Sequence, residues 1–157
     1  MFKYNKICFG GTFDRLHKGH KALIDLAFSV SKFCIIGLTS DEFAKRYRKE
    51  VESYDKRKEK LEHYLLERGY KGRYRIVTLN SFYSKELVDK NERIEAIVVG
   101  NEKNIIRRAR EINKERRKKG LKTMDVLIVD MVNAYDGKRI SSTRIRKGEI
   151  NEEGKKA

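Results

Sequence analysis

The sequence predicts an α/β fold in which a doubly wound parallel sheet of about five strands carries helices on both faces. Three observations lead there. Short, continuous apolar runs recur along the chain, stretches with helical spacing lie between them, and the loops are brief. Strands buried on both faces read as unbroken apolar runs, and parallel neighbours need crossovers long enough to hold a helix.

Lys6-Ile7-Cys8-Phe9 is the first strand and stops at Gly10-Gly11. From Lys18 to Val30, Ala22, Leu23, Leu26, Ala27 and Val30 fall on one helical face. Phe33 to Leu38 is the second strand, followed by runs of the same type at Tyr74–Leu79, Ala96–Val99 and Val126–Val129. Helical patterns occupy Asp41–Lys49, Asp55–Glu67, Ser84–Lys90 and Asn104–Lys119. The expected architecture is Rossmann-like, with the first strand central. A length of 157 residues suits a single domain, here residues 1–150, and the polar stretch 151–157 is expected to fray.

Lys and Arg number 38 against 23 Asp and Glu, so the chain carries a net charge of +15 and favours anionic partners, phosphates first. The Lys/Glu/Arg/Ile-heavy composition resembles that of hyperthermophile proteins, which supplies surface charge without functional meaning. No apolar run approaches the ~20 residues of a membrane span, and Met1-Phe2-Lys3-Tyr4 lacks the pattern of a signal peptide. A cytoplasmic protein with no membrane partner is expected. Cys8 and Cys34 stand alone inside strand-like runs, without CxxC spacing, and are expected as buried thiols.

In open α/β sheets the ligand sits at the carboxyl ends of the strands. There the first strand gives Gly10-Gly11-Thr12-Phe13-Asp14, in which glycine permits close backbone approach and Thr12 offers a hydroxyl. His17-Lys18-Gly19-His20 follows, placing two imidazoles at a helix start with a glycine that keeps the space before the rings clear. A cation is disfavoured at a helix N-terminus, so both rings are expected as neutral donors until a phosphate arrives. No carboxylate at matching spacing completes a coordination sphere, and no protein-bound metal is expected. Near the other end, Ile140-Ser141-Ser142-Thr143-Arg144-Ile145-Arg146 sets hydroxyls and cations at a second helix start, a cradle suited to a triphosphate.

The stretch from Gly10 to His20 resembles the T/HxGH signature of the nucleotidylyltransferase superfamily, and Ile140 to Arg146 resembles its ISSTxIR signature. With the double glycine and the tail Lys147 to Gly154, the chain is similar to the archaeal and eukaryotic branch of the phosphopantetheine adenylyltransferases, from Ile7 to Gly154. Gly100-Asn101-Glu102-Lys103 departs from the arginines of the bacterial branch, so no acceptor-binding arginine is carried over there. The resemblance implies transfer of AMP from ATP to 4′-phosphopantetheine, giving dephospho-coenzyme A and pyrophosphate, a step of coenzyme A biosynthesis. It implies His20 as donor to the α-phosphate, with His17 orienting the nucleotide. Gly11, Thr12 and Phe13 would bind the nucleotide, with Thr12 also holding the acceptor phosphate, and Ser141, Ser142, Thr143 and Arg144 would hold the departing phosphates. Mg²⁺ is expected to arrive with ATP rather than in a protein cage. Lys45 or Arg48, after the second strand, is placed either to meet a phosphate or to lie on a solvated helix face, and Lys45 is the acceptor contact taken as the expectation. The same first motif serves flavin mononucleotide, nicotinamide mononucleotide and glycerol 3-phosphate as acceptors, which leaves acceptor identity to the whole-chain similarity.

An alternative of a different class rests on Lys103–Lys122, where ten Lys/Arg against two Glu give +8. A nucleic-acid-binding helix has such a charge. No aromatic residue interleaves Asn104–Leu121, however, and no groove-reading motif accompanies it, so a solvated helix face is the expectation and nucleic acid is not an expected partner.

Overall fold

A computed structural model of the chain describes residues 1–48, 50–130 and 132–157. Its strands are β1 (Tyr4–Gly11), β2 (Ser31–Thr39), β3 (Tyr74–Leu79), β4 (Ala96–Gly100) and β5 (Asp125–Val129), paired in parallel in the order β3-β2-β1-β4-β5. The expected α/β class and the central first strand are both found. The chain builds outward from β1 to β3, then returns to lay β4 on the other side of β1. That reversal opens a crevice at the carboxyl ends of β1 and β4.

The helices are α1 (Lys18–Val30), α2 (Asp41–Lys45), α3 (Tyr54–Glu67), α4 (Lys103–Lys118) and α5 (Ser142–Arg146). Successive strand residues point to opposite faces, and two cores divide the sheet accordingly. On one face Ile7, Phe9, Ile36 and Val98 pack against Ile24 and Phe28 of α1 and Leu61 and Leu65 of α3. On the other, Cys8, Ile35, Ile97 and Val99 pack against Ala109 and Ile112 of α4. Cys8 and Cys34 are free, buried thiols on adjacent strands. Their pKa values are pushed up by burial, in Cys34 to about 12, which keeps them protonated and unreactive.

Four expectations need correction. The α1 residues buried on the inward face are Ile24, Ala27 and Phe28, while Leu26, placed by its spacing on the apolar face, is exposed. The helix expected over Asp41–Lys49 ends at Lys45, where Arg46 and Tyr47 bond three residues back, and Lys49 itself lies outside the described residues. Ser84–Lys90 forms only a 3-10 turn, Lys85–Val88, because Asp89 bonds the Asn91 amide and diverts the backbone into a turn. Residues 151–157, expected to fray, are held in place. Lys18 N donates to Glu152 O, Tyr135 N to Gly154 O, and Ile150 bridges Lys156. Gly154 is buried at φ +78, and a Cβ there would lie 2.6 Å from Ile140 Cδ1, so a glycine is needed on both counts. Ile140, Ile150 and Ala134 form a small core beneath it.

Candidate active site

β1 runs out at Gly11 into a turn whose backbone is strained: Phe13 has φ 52 and Arg15 has φ 49. Each left-handed non-glycine residue costs about 1 kcal/mol, so the surroundings must hold the turn. Asp14, 1% exposed, does much of this. Its carboxylate accepts from Glu52 N and from Arg15 Nη1, both at 2.8 Å, while Arg15 N donates to Glu52 Oε1. Burial would raise the Glu52 pKa, but hydrogen bonds from Lys60 and Arg15 N, with the charges of Lys60 and Lys56, bring it below the usual carboxylate range. The Ser142 hydroxyl donates to the Asp14 carbonyl, which ties the second motif to the first across 128 residues.

His17 caps α1. Its Nδ1 accepts from Gly19 N at 3.0 Å and from His20 N at 3.4 Å, and His17 N in turn donates to His20 Nδ1 at 3.1 Å. This is a reciprocal capping box built from two imidazoles. Both Nδ1 atoms are acceptors, so each neutral ring carries its proton on Nε2. The rings stack with centroids 3.6 Å apart, and the Phe13 ring meets His20 edge-on. A Cβ on Gly19 would lie 2.9 Å from His17 Cε1, which explains the glycine between them. Burial lowers the pKa of His17 to about 4, with further lowering from Arg139 and Arg48. Burial, the neighbouring His17 and the same two arginines hold His20 well below its ordinary value. Two neutral Nε2–H donors result.

The cleft around this pair has a volume of about 420 Å³, within the range of small-molecule sites. Gly11, Thr12, Phe13, His17, His20, Ser141 and Ser142 all line it, so the structure brings most of both motifs together. Three expected contacts do not line it. Lys45 is exposed on α2, and Arg48, three residues on, faces the cleft instead. Thr143 sits off the lining. Arg144 is engaged by Asp136 and Glu149, with its guanidinium 3.1 Å from Arg139 O, and so braces the loop before α5. Ser142 gives its hydroxyl proton to Asp14 rather than to the cleft.

Sequence reasoning missed Arg139 and Arg108, both of which line the cleft. Arg139 stands two residues before Ser141 and pairs with Glu102; extending the second motif by one position would have included it. Arg108 lies among the ten cations of the α4 region, with its Cζ 3.6 Å from the centroid of Phe82, a cation–π contact. Arg116, another of the ten, is buried and donates to the carbonyls of Lys122, Leu87 and Ile94. The basic stretch is therefore not one uniform surface. The other eight, among them Arg107, Arg110, Arg117 and Lys118, are exposed.

The histidine and serine motifs thus meet at the end of the central strand of a parallel sheet. The chain belongs to the cytidylyltransferase-like family, whose model matches residues 8–148. It is 45% identical to the phosphopantetheine adenylyltransferase of Methanothermobacter thermautotrophicus, covering 97% of this chain and 89% of that one. It is 40% identical to the enzyme of the same name from Thermococcus kodakarensis, covering 98% and 91%. A solved structure of a protein of unknown function from Archaeoglobus fulgidus is 31% identical, with a TM-score of 0.69 over 87% of this chain and 99% of that one.

Proposed function

We propose that this chain transfers AMP from ATP to 4′-phosphopantetheine, releasing pyrophosphate and giving dephospho-coenzyme A. The observation that carries the reading is the stacked His17–His20 pair, neutral and locked through Nδ1, with no Nε2 partner among the described residues, at the end of β1 beside the serine motif. The acceptor is already a phosphate anion, so it needs no general base and no covalent enzyme intermediate. An acceptor phosphate oxygen forms a bond to the α-phosphorus of ATP, and the bond to the bridging oxygen of pyrophosphate breaks. The protein's contribution is positioning and charge stabilisation.

In this reading His20 Nε2–H donates to the α-phosphate as charge builds on it, and His17 orients the nucleotide. Thr12 and the Phe13 backbone hold acceptor phosphate and α-phosphate side by side. Arg48 and Arg139 supply the positive field, in place of Lys45 and Arg144. Ser141 and the Ser142 backbone meet the departing phosphates. Among the described residues no group of three His, Cys, Asp or Glu forms a metal cage, and the donor set of imidazoles, hydroxyls and arginines suits a Mg²⁺ carried on the triphosphate. Such an ion would neutralise phosphate charge. Among the described residues, no helix is long and apolar enough to cross a membrane.

The test is direct. Purified protein is given ATP with each of 4′-phosphopantetheine, flavin mononucleotide, nicotinamide mononucleotide and glycerol 3-phosphate, and pyrophosphate release is followed. The expected result is release with 4′-phosphopantetheine. Preference for flavin mononucleotide would overturn the acceptor while leaving adenylyl transfer intact.

A further inference from the structure

Behind the cleft, Arg57 of α3 is fully buried, at 0% exposure. Its Nε donates to Glu52 O at 2.8 Å, and its Nη1 donates to Thr12 O and Thr39 O, each at 2.9 Å, and to Thr39 Oγ1 at 3.3 Å. Nη2 reaches Asp41 Oδ1 at 3.2 Å, an oxygen that also accepts from Tyr54 N. Thr39, the last residue of β2, is 7% exposed, and its hydroxyl donates to Thr12 Oγ1 at 3.1 Å.

We infer that Arg57 and Thr39 are positioning residues, forming a one-way relay that fixes the Thr12 hydroxyl as a donor toward the acceptor phosphate. A guanidinium has donors and no acceptor, so Thr39 Oγ1 accepts from it, sharing one of the two Nη1 protons with a carbonyl. Thr39 then has one proton to place, and among the described residues the acceptor its hydroxyl reaches is Thr12 Oγ1. With that lone pair filled, the Thr12 proton turns outward to the cleft that Thr12 lines. The series is uniformly polarised, each donation strengthening the next. A phosphate dianion, which only accepts, fits the end of such a series. The inference rests on the proposed adenylyl transfer, and it adds to it Arg57, behind the cleft, and Thr39, in the cleft wall, both acting through Thr12.

The test uses Thr39→Val, which keeps shape and removes the hydroxyl. The expected result is a KM for 4′-phosphopantetheine raised about 10-fold, the scale of one lost hydrogen bond, with the KM for ATP unchanged. Calorimetric affinity for 4′-phosphopantetheine should weaken to match, and Thr39→Ser should restore both. Since Thr39 acts through Thr12, the Thr12→Val/Thr39→Val double variant should be no worse than Thr12→Val alone. An unchanged acceptor KM in Thr39→Val, additive losses in the double variant, or failure of Thr39→Ser to rescue would each overturn the relay while wild-type turnover stands. Wild-type protein inactive with 4′-phosphopantetheine would instead remove the functional reading, and the relay with it.

Discussion

A neutral imidazole has one nitrogen that accepts and one that donates, and in this site each histidine spends its acceptor on the α1 backbone. The donor that remains is the one the proposed adenylyl transfer uses. His20→Ala should lower kcat roughly 10²–10³-fold while ATP binding measured by calorimetry persists, the scale of one lost transition-state donor. Because burial first, then His17 and the two arginines, hold His20 well below its ordinary pKa, it remains an Nε2–H donor through neutral pH. Acceptor phosphate has its own second ionisation near 6, so the pH profile is informative only by comparison. Wild-type and His20→Ala profiles from pH 5.5 to 8.5 should differ in height and share their shape; an acid limb present only in the wild type would contradict a neutral His20. Gly19→Ala tests the same geometry from the backbone side. Its Cβ would displace the His17 ring, so kcat should fall by about 10-fold or more, with the urea midpoint changing far less than activity.

α4 shows how one element can read as a single feature and serve several. Charge alone gives sequence-independent, salt-sensitive attraction to nucleic acid, and the structure draws two of the ten cations away from that surface, Arg108 into the cleft lining and Arg116 into the interior. Reversing Arg107, Arg110, Arg117 and Lys118 to Glu should leave pyrophosphate release within about twofold, since these residues are exposed and outside the cleft. Arg116→Met should destabilise by about 3 kcal/mol in urea titration, because buried carbonyls of Leu87 and Ile94 lose their donor. Element positions were legible where local pattern decides them: β3 matches its apolar run residue for residue, and α1 begins and ends where its spacing does. The site was legible in its motifs for the same reason, since a glycine between two histidines reports crowding that a folded chain must resolve. What the sequence hid depends on tertiary partners. Arg144 looked like a phosphate ligand until Asp136 and Glu149 were seen to occupy it, and Arg57, Thr39 and Asp14 gain meaning only from contacts tens of residues away.

At the scale of the whole molecule, the buried histidines couple the site to stability. The ordinary pKa near 6.5 applies to the unfolded chain, whereas His17 titrates at about 4 in the fold, where burial opposes its charge. Between those values the unfolded chain takes up a proton that the native state refuses, so stability falls as pH drops from about 6.5 toward 4. His17 alone is worth about 3 kcal/mol over that interval, and His20 acts in the same direction. Glu52, whose carboxyl is depressed, adds a further loss as pH falls through its own range. Urea midpoints measured from pH 7.5 to 4.5 should decline, and a His17→Asn/His20→Asn variant should flatten the decline above pH 5. The bond from Ser142 to the Asp14 carbonyl, with Lys18 N on Glu152 O, has a consequence in time as well as in space. A chain is made from its N-terminus, and the five strands and helices α1 to α4 all precede Asp130, while the strained turn that follows β1 still lacks its far anchor. During synthesis, then, the turn after β1 is among the first segments made and the last to be secured, since its anchors at Ser142 and Glu152 come off the ribosome only at the end.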